Sequence, residues 1–254
     1  MVQTQPEENL EICEAMLKTK DPDRWYALRF APSTIRSALL PFYALHIELS
    51  QLVYKVKTPP LGEIRLQWWR EALQEALGRA PVRAHPVVEA LALVLTKSGD
   101  LEFRGLAEEK INHAIDARGR LFYEAPFEDV ADLFNWAKTS DGAIDGIGLK
   151  LTLGQPDFTG HEIDIQKVIE ARALLTLARD GARLAPHLSS EAISGFVQEK
   201  LPDLRKVFQD CPGPLMGICL PYRMVDQYNA QKSRGTLALR RHALYFTGVL
   251  RGKI

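Results

Sequence analysis

The chain has 254 residues, and its 32 lysines and arginines are balanced by 32 aspartates and glutamates. Hydrophobic residues make up 46% of the chain and charged residues 25%, which are ordinary globular values and argue against a disordered or fibrous protein. A net charge of zero gives no support for a bulk nucleic-acid-binding protein, so no nucleic-acid partner is expected.

The helical period of apolar residues runs through most of the chain. In the segment 33–56, apolar residues recur mostly every three to five positions, which predicts a helix. Its expected N-cap is Ser33 or Thr34, and Pro59 and Pro60 are expected to end it. Further helices are predicted over 62–77, 87–98, 103–122, 127–153, 163–184, 190–208, 215–228 and 236–250. No segment alternates with a two-residue period between hairpin turns, so no sheet is predicted. Residues 1–254 are therefore expected to form one all-α domain of roughly nine to eleven helices.

Cysteine usage and the first residues address the cell compartment. Cys13, Cys211 and Cys219 are odd in number and lack CxxC spacing, which favours a reducing compartment and predicts neither a disulfide framework nor a zinc site. The start, MVQTQPEENLE, is acidic and polar, unlike a secretory signal or an Arg-rich transit peptide. No apolar run approaches the roughly 18 residues of a membrane-spanning helix. A cytoplasmic protein is expected.

Common catalytic motifs are missing from the sequence. It has no GxSxG, HExxH or P-loop, and its six histidines show no metal-ligand spacing, so no metal site is predicted. The segment DGAIDGIG contains Gly142, Gly146 and Gly148 inside a helical pattern. These glycines are predicted to permit close helix packing. A phosphate-binding loop, which would need a preceding strand, is the less favoured alternative.

Four segments stand out by their order and spacing. They are DPDRWYALRFAPSTIRSALLPFYALHIEL (21–49), LGEIRLQWWREAL (61–73), HPVVEAL (85–91) and IDARGRLFYEAPFEDVADLFNWA (115–137). Together they resemble the squalene/phytoene synthase family, most closely its proteobacterial branch, which is related to mitochondrial respiratory complex I assembly proteins. The segment 141–154 resembles the family's small-residue helix. The resemblance covers about 21–188, and beyond it the chain is expected to be shortened, ending in a basic helical tail over 223–254.

The resemblance implies a fold and a chemistry. The fold is an all-α, single-domain isoprenoid-synthase-like helical bundle around a central cavity. Active family members join two prenyl diphosphates head to head, and Mg²⁺ neutralises the charge that develops on the departing diphosphate. Two Asp-rich helical motifs hold the metal from opposite sides of the cavity, with acids at i and i+4 on one helix face.

The first acidic motif is degenerate in this chain. Counted from the Tyr-Ala-Leu segment at 43–45, its three acidic positions hold Ser50, Gln51 and Tyr54. None of these residues supplies a carboxylate. Glu48 lies two residues before Ser50 and therefore about 200° around the helix, so it cannot substitute.

The second acidic motif is degenerate as well. Asp180 follows Arg179, as in the family's Arg-Asp start, but the next acidic positions hold Arg183 and Leu184. A hard divalent cation with only Asp180 and water is poorly held. The sequence therefore predicts no catalytic residue, no metal site and no cofactor, with Mg²⁺ bound only if the chain is an active enzyme.

Nine residues are predicted to line the cavity or bind a ligand: Tyr43, His46, Ser50, Tyr54, Trp68, Trp69, Asp141, Gly142 and Asp145. The first four form one stripe of a helix, which would face the cavity or be an ordinary core face. The two tryptophans are adjacent on a helix and point about 100° apart, so one is expected to line the cavity and the other to pack outward. The alternative is that both pack in the core. The two aspartates, with Asp116 and Arg118, are also interpretable as structural ion pairs.

The zero net charge conceals two oppositely charged regions. Residues 223–254 contain seven lysines and arginines and one acid, which gives +6 and leaves −6 for the rest. A basic amphipathic terminus can contact an anionic membrane or an acidic partner. The residues predicted for that surface are Arg234, Arg240, Arg241, Arg251 and Lys253. Packing of a solvated basic face on the acidic body is the alternative.

Three functions remain open on the sequence. The favoured one is a catalytically degenerate family member that acts as an assembly or scaffold factor. For it the resemblance implies respiratory-complex assembly partners, a lipid or prenyl ligand in the cavity, and peripheral contact with the inner membrane. The alternative is an active Mg²⁺-dependent prenyltransferase of squalene/phytoene synthase type, with metal ligands among Asp141, Asp145 and Asp180. The third is a lipid carrier.

Overall fold

The computed structural model describes residues 5–56, 58–97, 99–124, 126–154, 163–207, 213–230 and 234–251. Across these ranges every regular element is helical and no strand occurs, which confirms the predicted all-α class. Of the helices so described, none is both long and apolar enough to cross a membrane. Cys13 and Cys219 are both buried, and Cys211 lies outside the described residues.

The helices are, in chain order, α1 (Gln5–Lys20), α2 (Pro22–Leu28), α3 (Ser33–Lys55), α4 (Pro59–Ala76), α5 (Pro86–Lys97), α6 (Leu101–Gly119), α7 (Val130–Ala137), α8 (Ala143–Leu153), α9 (Ile165–Leu184), α10 (Ser190–Val207), α11 (Met216–Cys219), α12 (Val225–Asn229) and α13 (Arg234–Arg251). Turns of 3₁₀ helix occupy Arg120–Phe122, Gly213–Leu215 and Leu220–Met224, and a π-helical turn occupies Lys138–Gly142.

Local chemistry explains several helix ends. Gly78 and Gly99 follow α4 and α5 with φ of 80° and 61°, a left-handed conformation that glycine adopts without a steric cost. Asp100 caps α6, because its side chain accepts a hydrogen bond of 3.0 Å from the Phe103 amide. The predicted cap of α3 was wrong, since Pro32 holds the N-cap position and no side chain caps that end.

Two predicted helices are divided in the structure. The predicted helix over 127–153 begins only at Val130, after the capping side chain of Asp129, and the π-helical turn separates α7 from α8. The predicted helix over 215–228 is a series of short helices and 3₁₀ turns. Pro221 lies inside that segment, and proline cannot donate the backbone hydrogen bond that would continue an α-helix.

The first two helices were not predicted. Helix α1 packs on α3 and α5, buries Cys13 and Leu17, and donates a hydrogen bond of 2.6 Å from Asn9 to Glu89. Helix α2 is capped by Asp21, whose side chain accepts from the Arg24 amide. Both elements belong to the core, and α2 brings charged residues to the site described below.

Helix α3 forms the centre of the molecule. Residues 39–47 are buried without interruption, so that α3 is enclosed on every side, as a core helix is. Helices α1, α5, α6 and α8 pack against it, and α9 packs against α7, α8, α10 and α12. This arrangement leaves the C-terminal half of α3 opposite the C-terminal half of α9.

The glycines of the small-residue helix allow close packing, as predicted. A Cβ atom on Gly142 would lie 2.7 Å from the Ile169 carbonyl oxygen of α9, and one on Gly148 would lie 2.9 Å from Leu39 of α3. Both distances are below van der Waals contact. The alternative of a phosphate-binding loop was wrong, because these glycines lie within helical turns that face other helices.

Candidate functional site

A cavity of about 670 Å³ lies between α3 and α9, bounded also by α2, α6 and α13. The six degenerate motif positions all line it, and we call them the rim. They are Ser50, Gln51 and Tyr54 on α3, and Asp180, Arg183 and Leu184 on α9. The structure therefore brings the two motifs, about 130 residues apart in sequence, to opposite sides of one cavity.

Contacts within the rim involve its single carboxylate and its arginine. Asp180 accepts hydrogen bonds from Arg183 Nη2 at 2.9 Å and from Arg179 Nε at 2.8 Å, so both of its oxygens are paired. The Arg183 guanidinium lies 4.7 Å from the centre of the Tyr54 ring, which joins α9 to α3. Ser50 Oγ accepts from Arg118 Nη2 at 3.3 Å.

Seven buried polar residues form the floor of the cavity and the region beneath it, and we call them the charge layer. They are Asp21, Arg24, His46, Arg118, Asp141, Asp145 and Arg172, none of them more than 4% exposed. Burying a charge is costly unless it is paired, so their mutual contacts decide whether this layer is stable.

Arg24 occupies the centre of the charge layer. Its guanidinium forms an ion pair with Asp145, donates to Asp21 Oδ2 at 3.4 Å and donates to His46 Nδ1 at 3.1 Å. It also stacks over the Tyr43 ring at 4.4 Å. Tyr222 donates to the other oxygen of Asp145 at 3.0 Å. One side chain of α2 thereby links α3 and α8.

His46 is neutral at physiological pH. Its Nδ1 accepts from Arg24, which leaves the ring proton on Nε2, 2.9 Å from Asp141 Oδ1. Burial lowers the pKa of His46 to about 4, while the charge of Asp141 opposes the shift and that of Arg24 adds to it. The residue therefore adds no positive charge to the cavity.

Asp141 is ionised, and both of its carboxylate oxygens accept hydrogen bonds. It accepts from Arg118 Nη2 at 2.5 Å and from Thr176 Oγ1 at 2.7 Å. Burial alone would raise the pKa of Asp141, but Arg118 and His46 hold it well below its usual value. The π-helical turn carries this side chain, a local widening that often occurs at functional positions. The predicted interhelix ion pair of Arg118 is present, and Asp116 pairs with Arg70 at the surface.

The two acids at the start of α2, Asp21 at the N-cap and Asp23 in the first turn, also form ion pairs. Burial alone would raise the pKa of Asp21, but Arg179, Arg172 and Arg24 hold it below its usual value. Asp23 accepts from Arg241 Nε at 2.5 Å and from the Tyr228 hydroxyl at 2.6 Å.

The contact of Arg241 with Asp23 corrects the predicted basic surface. Arg241 is 7% exposed and lines the cavity from α13, so it is an internal ion-pair partner and not a surface residue. Arg240 is exposed and donates to Gln227 at 2.8 Å. Lys253 and the side chains of Arg234 and Arg251 lie outside what the structure describes.

Four of the nine predicted cavity residues line the cavity: His46, Ser50, Tyr54 and Asp141. Tyr43 and Asp145 lie beneath it, in contact with Arg24, and Gly142 faces α9. Neither tryptophan reaches it, which corrects that part of the prediction. Both belong to α4, where Trp69 packs against α3, α5 and α6, and Trp68 stacks with Arg83 at 4.4 Å.

Sequence reasoning missed Asp21, Arg24 and Arg172 as members of the site. Arg172 has a sequence signal, because it is a charged residue among apolar neighbours in the segment 171–178, which reads ARALLTLA. Asp21 and Arg24 lack this signal, because they lie among other charged residues in the segment DPDR. On α9, Arg172, Thr176, Arg179 and Arg183 share one face at helical spacing. A charged stripe along a buried helix indicates ion pairs with another helix, although it does not identify the partner.

The carboxylates of this cavity do not fit a Mg²⁺ clamp. Mg²⁺ is held by carboxylate oxygens that are free to coordinate it, whereas Asp21, Asp23, Asp141 and Asp180 each face at least one arginine. Among the described residues, no group of three or more His, Cys, Asp or Glu side chains could hold a metal ion.

Together the helical bundle and its facing motif positions define an isoprenoid-synthase-like class of protein. The family model for squalene/phytoene synthase matches residues 17–159, which is more than half of the chain. The chain therefore belongs to the squalene/phytoene synthase family. No curated protein matches it.

Proposed function

We propose that this chain is a non-catalytic member of the squalene/phytoene synthase family. The observation that carries the proposal is the rim, where Ser50, Gln51, Tyr54, Arg183 and Leu184 stand at motif positions that resemblance assigns to acids. The single acid left there, Asp180, is held by two arginines.

The chemistry of the family requires more than a cavity. A diphosphate leaves only when its developing charge is neutralised, which the family achieves with metal ions. Arginine does not give up its proton, so a metal ion would have to compete with a permanent positive charge for the partner carboxylate. Incubation with farnesyl or geranylgeranyl diphosphate and Mg²⁺ is expected to give no condensed product. Product formation that is lost on changing Asp141, Asp145 or Asp180 to asparagine would establish the prenyltransferase alternative.

The non-catalytic function we favour is assembly of a respiratory complex. Its support is the resemblance of segments 21–49, 61–73, 85–91 and 115–137 to the branch related to complex I assembly proteins. The partners would be subunits or intermediates of that complex at the cytoplasmic side of the inner membrane. Deletion of the gene is expected to reduce assembled complex I, and normal assembly and activity in the deletion strain would contradict this function.

A lipid or prenyl chain is the ligand that the apolar part of the cavity would take. Ile47, Val53, Leu121, Trp136, Leu184 and Leu237 contribute apolar side chains to its lining. A pocket of this size can enclose much of a small amphiphile. Native mass spectrometry of gently purified protein is expected to show a bound mass, and a spectrum of the bare chain alone would dismiss the ligand.

Contact with an anionic membrane surface is proposed for α13. Leu239, Phe246 and Leu250 are 77%, 60% and 69% exposed and recur at helical spacing on one face. The segment 223–254 carries +6 in total, and without Arg241, which pairs internally with Asp23, it still carries +5, which complements anionic lipid. Flotation with vesicles rich in anionic lipid is expected to recover the protein, and Leu239→Ser with Phe246→Ser is expected to reduce the recovery. Equal recovery of the wild type and this double variant would contradict the contact.

A further inference from the structure

The cavity carries a surplus of positive charge. Five cations line it, namely Lys20, Arg118, Arg179, Arg183 and Arg241, against four carboxylates, those of Asp21, Asp23, Asp141 and Asp180. Directly beneath lie Arg24 and Arg172 with Asp145. Because His46 is neutral, seven cations face five carboxylates among the described residues, which leaves a surplus of two.

Two of the buried guanidiniums are incompletely paired. Arg118 lines the cavity, and its buried Nε has no hydrogen-bond partner within the described part of the chain. Arg172 is fully buried, and none of its three guanidinium nitrogens has a hydrogen-bond partner there. Its nearest carboxylate oxygens are 3.5 Å away on Asp21 and 4.0 Å away on Asp145. A buried donor without a partner costs free energy, so an anion nearby would be favoured.

Arg183 provides accessible positive charge at the entrance. Its side chain is 56% exposed at the rim, where the family resemblance would place an acid. Arg183 and Arg118 both act on Tyr54: burial raises the pKa of the Tyr54 hydroxyl, and the two guanidiniums oppose that shift. Arg183 lies 4.7 Å from the centre of the Tyr54 ring, and Arg118 Nη2 donates at 3.3 Å to Ser50 Oγ, one helical turn before Tyr54. The two arginines therefore approach the same part of the cavity from α9 and from α6.

We propose that the cavity binds a phosphate-type oxyanion directly through the guanidinium groups of Arg118 and Arg183, without a metal ion. A guanidinium presents a planar fork of N–H donors that matches two oxygens of a phosphate, and such charge-assisted bonds are strong in a partly desolvated cleft. In this arrangement arginines take the place of the metal in neutralising the anion. The inference rests on the proposed non-catalytic function, in which no metal clamp neutralises the anion.

The oxyanion is either free or the head of an amphiphile, and both share this chemistry. The apolar side chains of Ile47, Leu121 and Leu184 line the same cavity, so a hydrocarbon tail can follow the phosphate. Titration with inorganic phosphate, dodecyl phosphate and dodecanol distinguishes the sources. Dodecyl phosphate binding at least about tenfold tighter than inorganic phosphate identifies an amphiphile, and equal affinities identify the free anion. Dodecanol binding as tightly as dodecyl phosphate would overturn the anion site.

Calorimetric titration of the full chain with inorganic pyrophosphate tests the metal independence. We expect pyrophosphate to bind in buffer that contains EDTA, and we expect excess Mg²⁺ not to strengthen this binding. Arg183→Gln is expected to weaken binding about tenfold, because it removes one charge-assisted contact. Lys20→Gln, a second change at an exposed lining residue, is expected to weaken it less. Arg65→Gln is the matched control, because Arg65 is exposed on α4 and does not line the cavity.

Binding seen only with Mg²⁺, no binding in either buffer, or equal binding by Arg183→Gln and Arg65→Gln would overturn the anion site. The proposed function fails by a different result. Prenyl product formed with Mg²⁺ would contradict the non-catalytic function, whereas pyrophosphate binding in EDTA would still support the guanidinium site.

Discussion

The charge layer and the rim belong to the same cavity but hold their charges differently. In the charge layer Asp21, Asp141 and Asp145 are buried and each contacts arginine, so that removal of one partner leaves a charge without compensation. At the rim Arg183 is more than half exposed, and water can solvate it whether or not Asp180 is present.

An acid that lies near a cavity is not thereby free to bind a metal ion. The three residues that the prenyltransferase alternative would need, Asp141, Asp145 and Asp180, are all present and all lie at or near the cavity. Each is already paired with an arginine. What decides metal binding is the number of carboxylate oxygens left free, which the spacing of acids in a sequence does not give.

Removal of the central arginine of the charge layer is expected to have the largest effect. Arg24→Met leaves Asp145 and Asp21 buried with less compensation, and it should lower the free energy of unfolding by about 3–5 kcal/mol. Arg70→Met is the matched control, since Arg70 pairs with Asp116 at the surface, and it should cost at most about 1 kcal/mol. Urea unfolding of both variants measures the difference. Similar losses in the two would show that the charge layer does not differ from the surface.

The next largest effect is expected from pH, which changes the free energy of unfolding through His46. The pKa of folded His46 is about 4, below its ordinary value of 6.5, so the unfolded chain binds a proton more readily. The free energy of unfolding therefore has its full value with respect to His46 above pH 6.5. It decreases as the pH falls toward 4, by up to about 3 kcal/mol.

His46→Gln carries an amide that does not titrate, so its unfolding free energy should fall less than that of the wild type across this pH range. His113→Gln, at an exposed position, should keep the wild-type profile. Parallel curves for the wild type and His46→Gln, measured by urea unfolding at several pH values, would contradict the neutral buried histidine.

The position of the π-helical turn against α9 gives a third comparison. Gly142→Ala places a methyl group 2.7 Å from the Ile169 carbonyl oxygen, and it should cost about 1–3 kcal/mol while shifting the neighbouring Asp141. Gly105→Ala in α6 meets nothing within 4 Å and should be neutral or stabilise by up to about 1 kcal/mol. Thermal unfolding of both variants measures the difference. Equal stability of Gly142→Ala and Gly105→Ala would contradict the close approach of the π-helical turn to α9.

The smallest effect on stability is expected at the rim. Arg183→Gln should change the free energy of unfolding by no more than about 0.5 kcal/mol, because its ion pair with Asp180 is largely solvated. The same urea unfolding measurement applies. A loss comparable to that of Arg24→Met would mean that the rim also has a structural role.

Much of the fold could be predicted because apolar periodicity is local. The central helix α3, the end of α4 before Gly78 and the close-packed glycines follow from spacing and from the properties of glycine. The two missed helices show the limit of this reasoning. Leu10, Cys13 and Leu17 have helical spacing, but polar residues dominate the segment around them.

The charge layer could not be predicted, because its pairs join distant parts of the chain. Arg24 and Asp145 are separated by 121 positions, and Arg172 lies in a third helix. The degenerate motif positions were accessible to sequence reasoning because they were counted from a recognisable segment, and they lie at one cavity. The angle of about 100° between the two tryptophans left both a cavity position and core packing open, and the packing of α4 against α5 and α6 directs them away from the cavity.

We expect arginine, and not a metal ion, to face an anion in this cavity. A crystal structure of the protein soaked with Mn²⁺ and a non-hydrolysable prenyl diphosphate analogue tests it most directly, because Mn²⁺ gives an anomalous signal. We expect diphosphate oxygens on Arg118 and Arg183 and no anomalous peak in the cavity. Two or three Mn²⁺ ions bridging the diphosphate to Asp141 or Asp180 would contradict it.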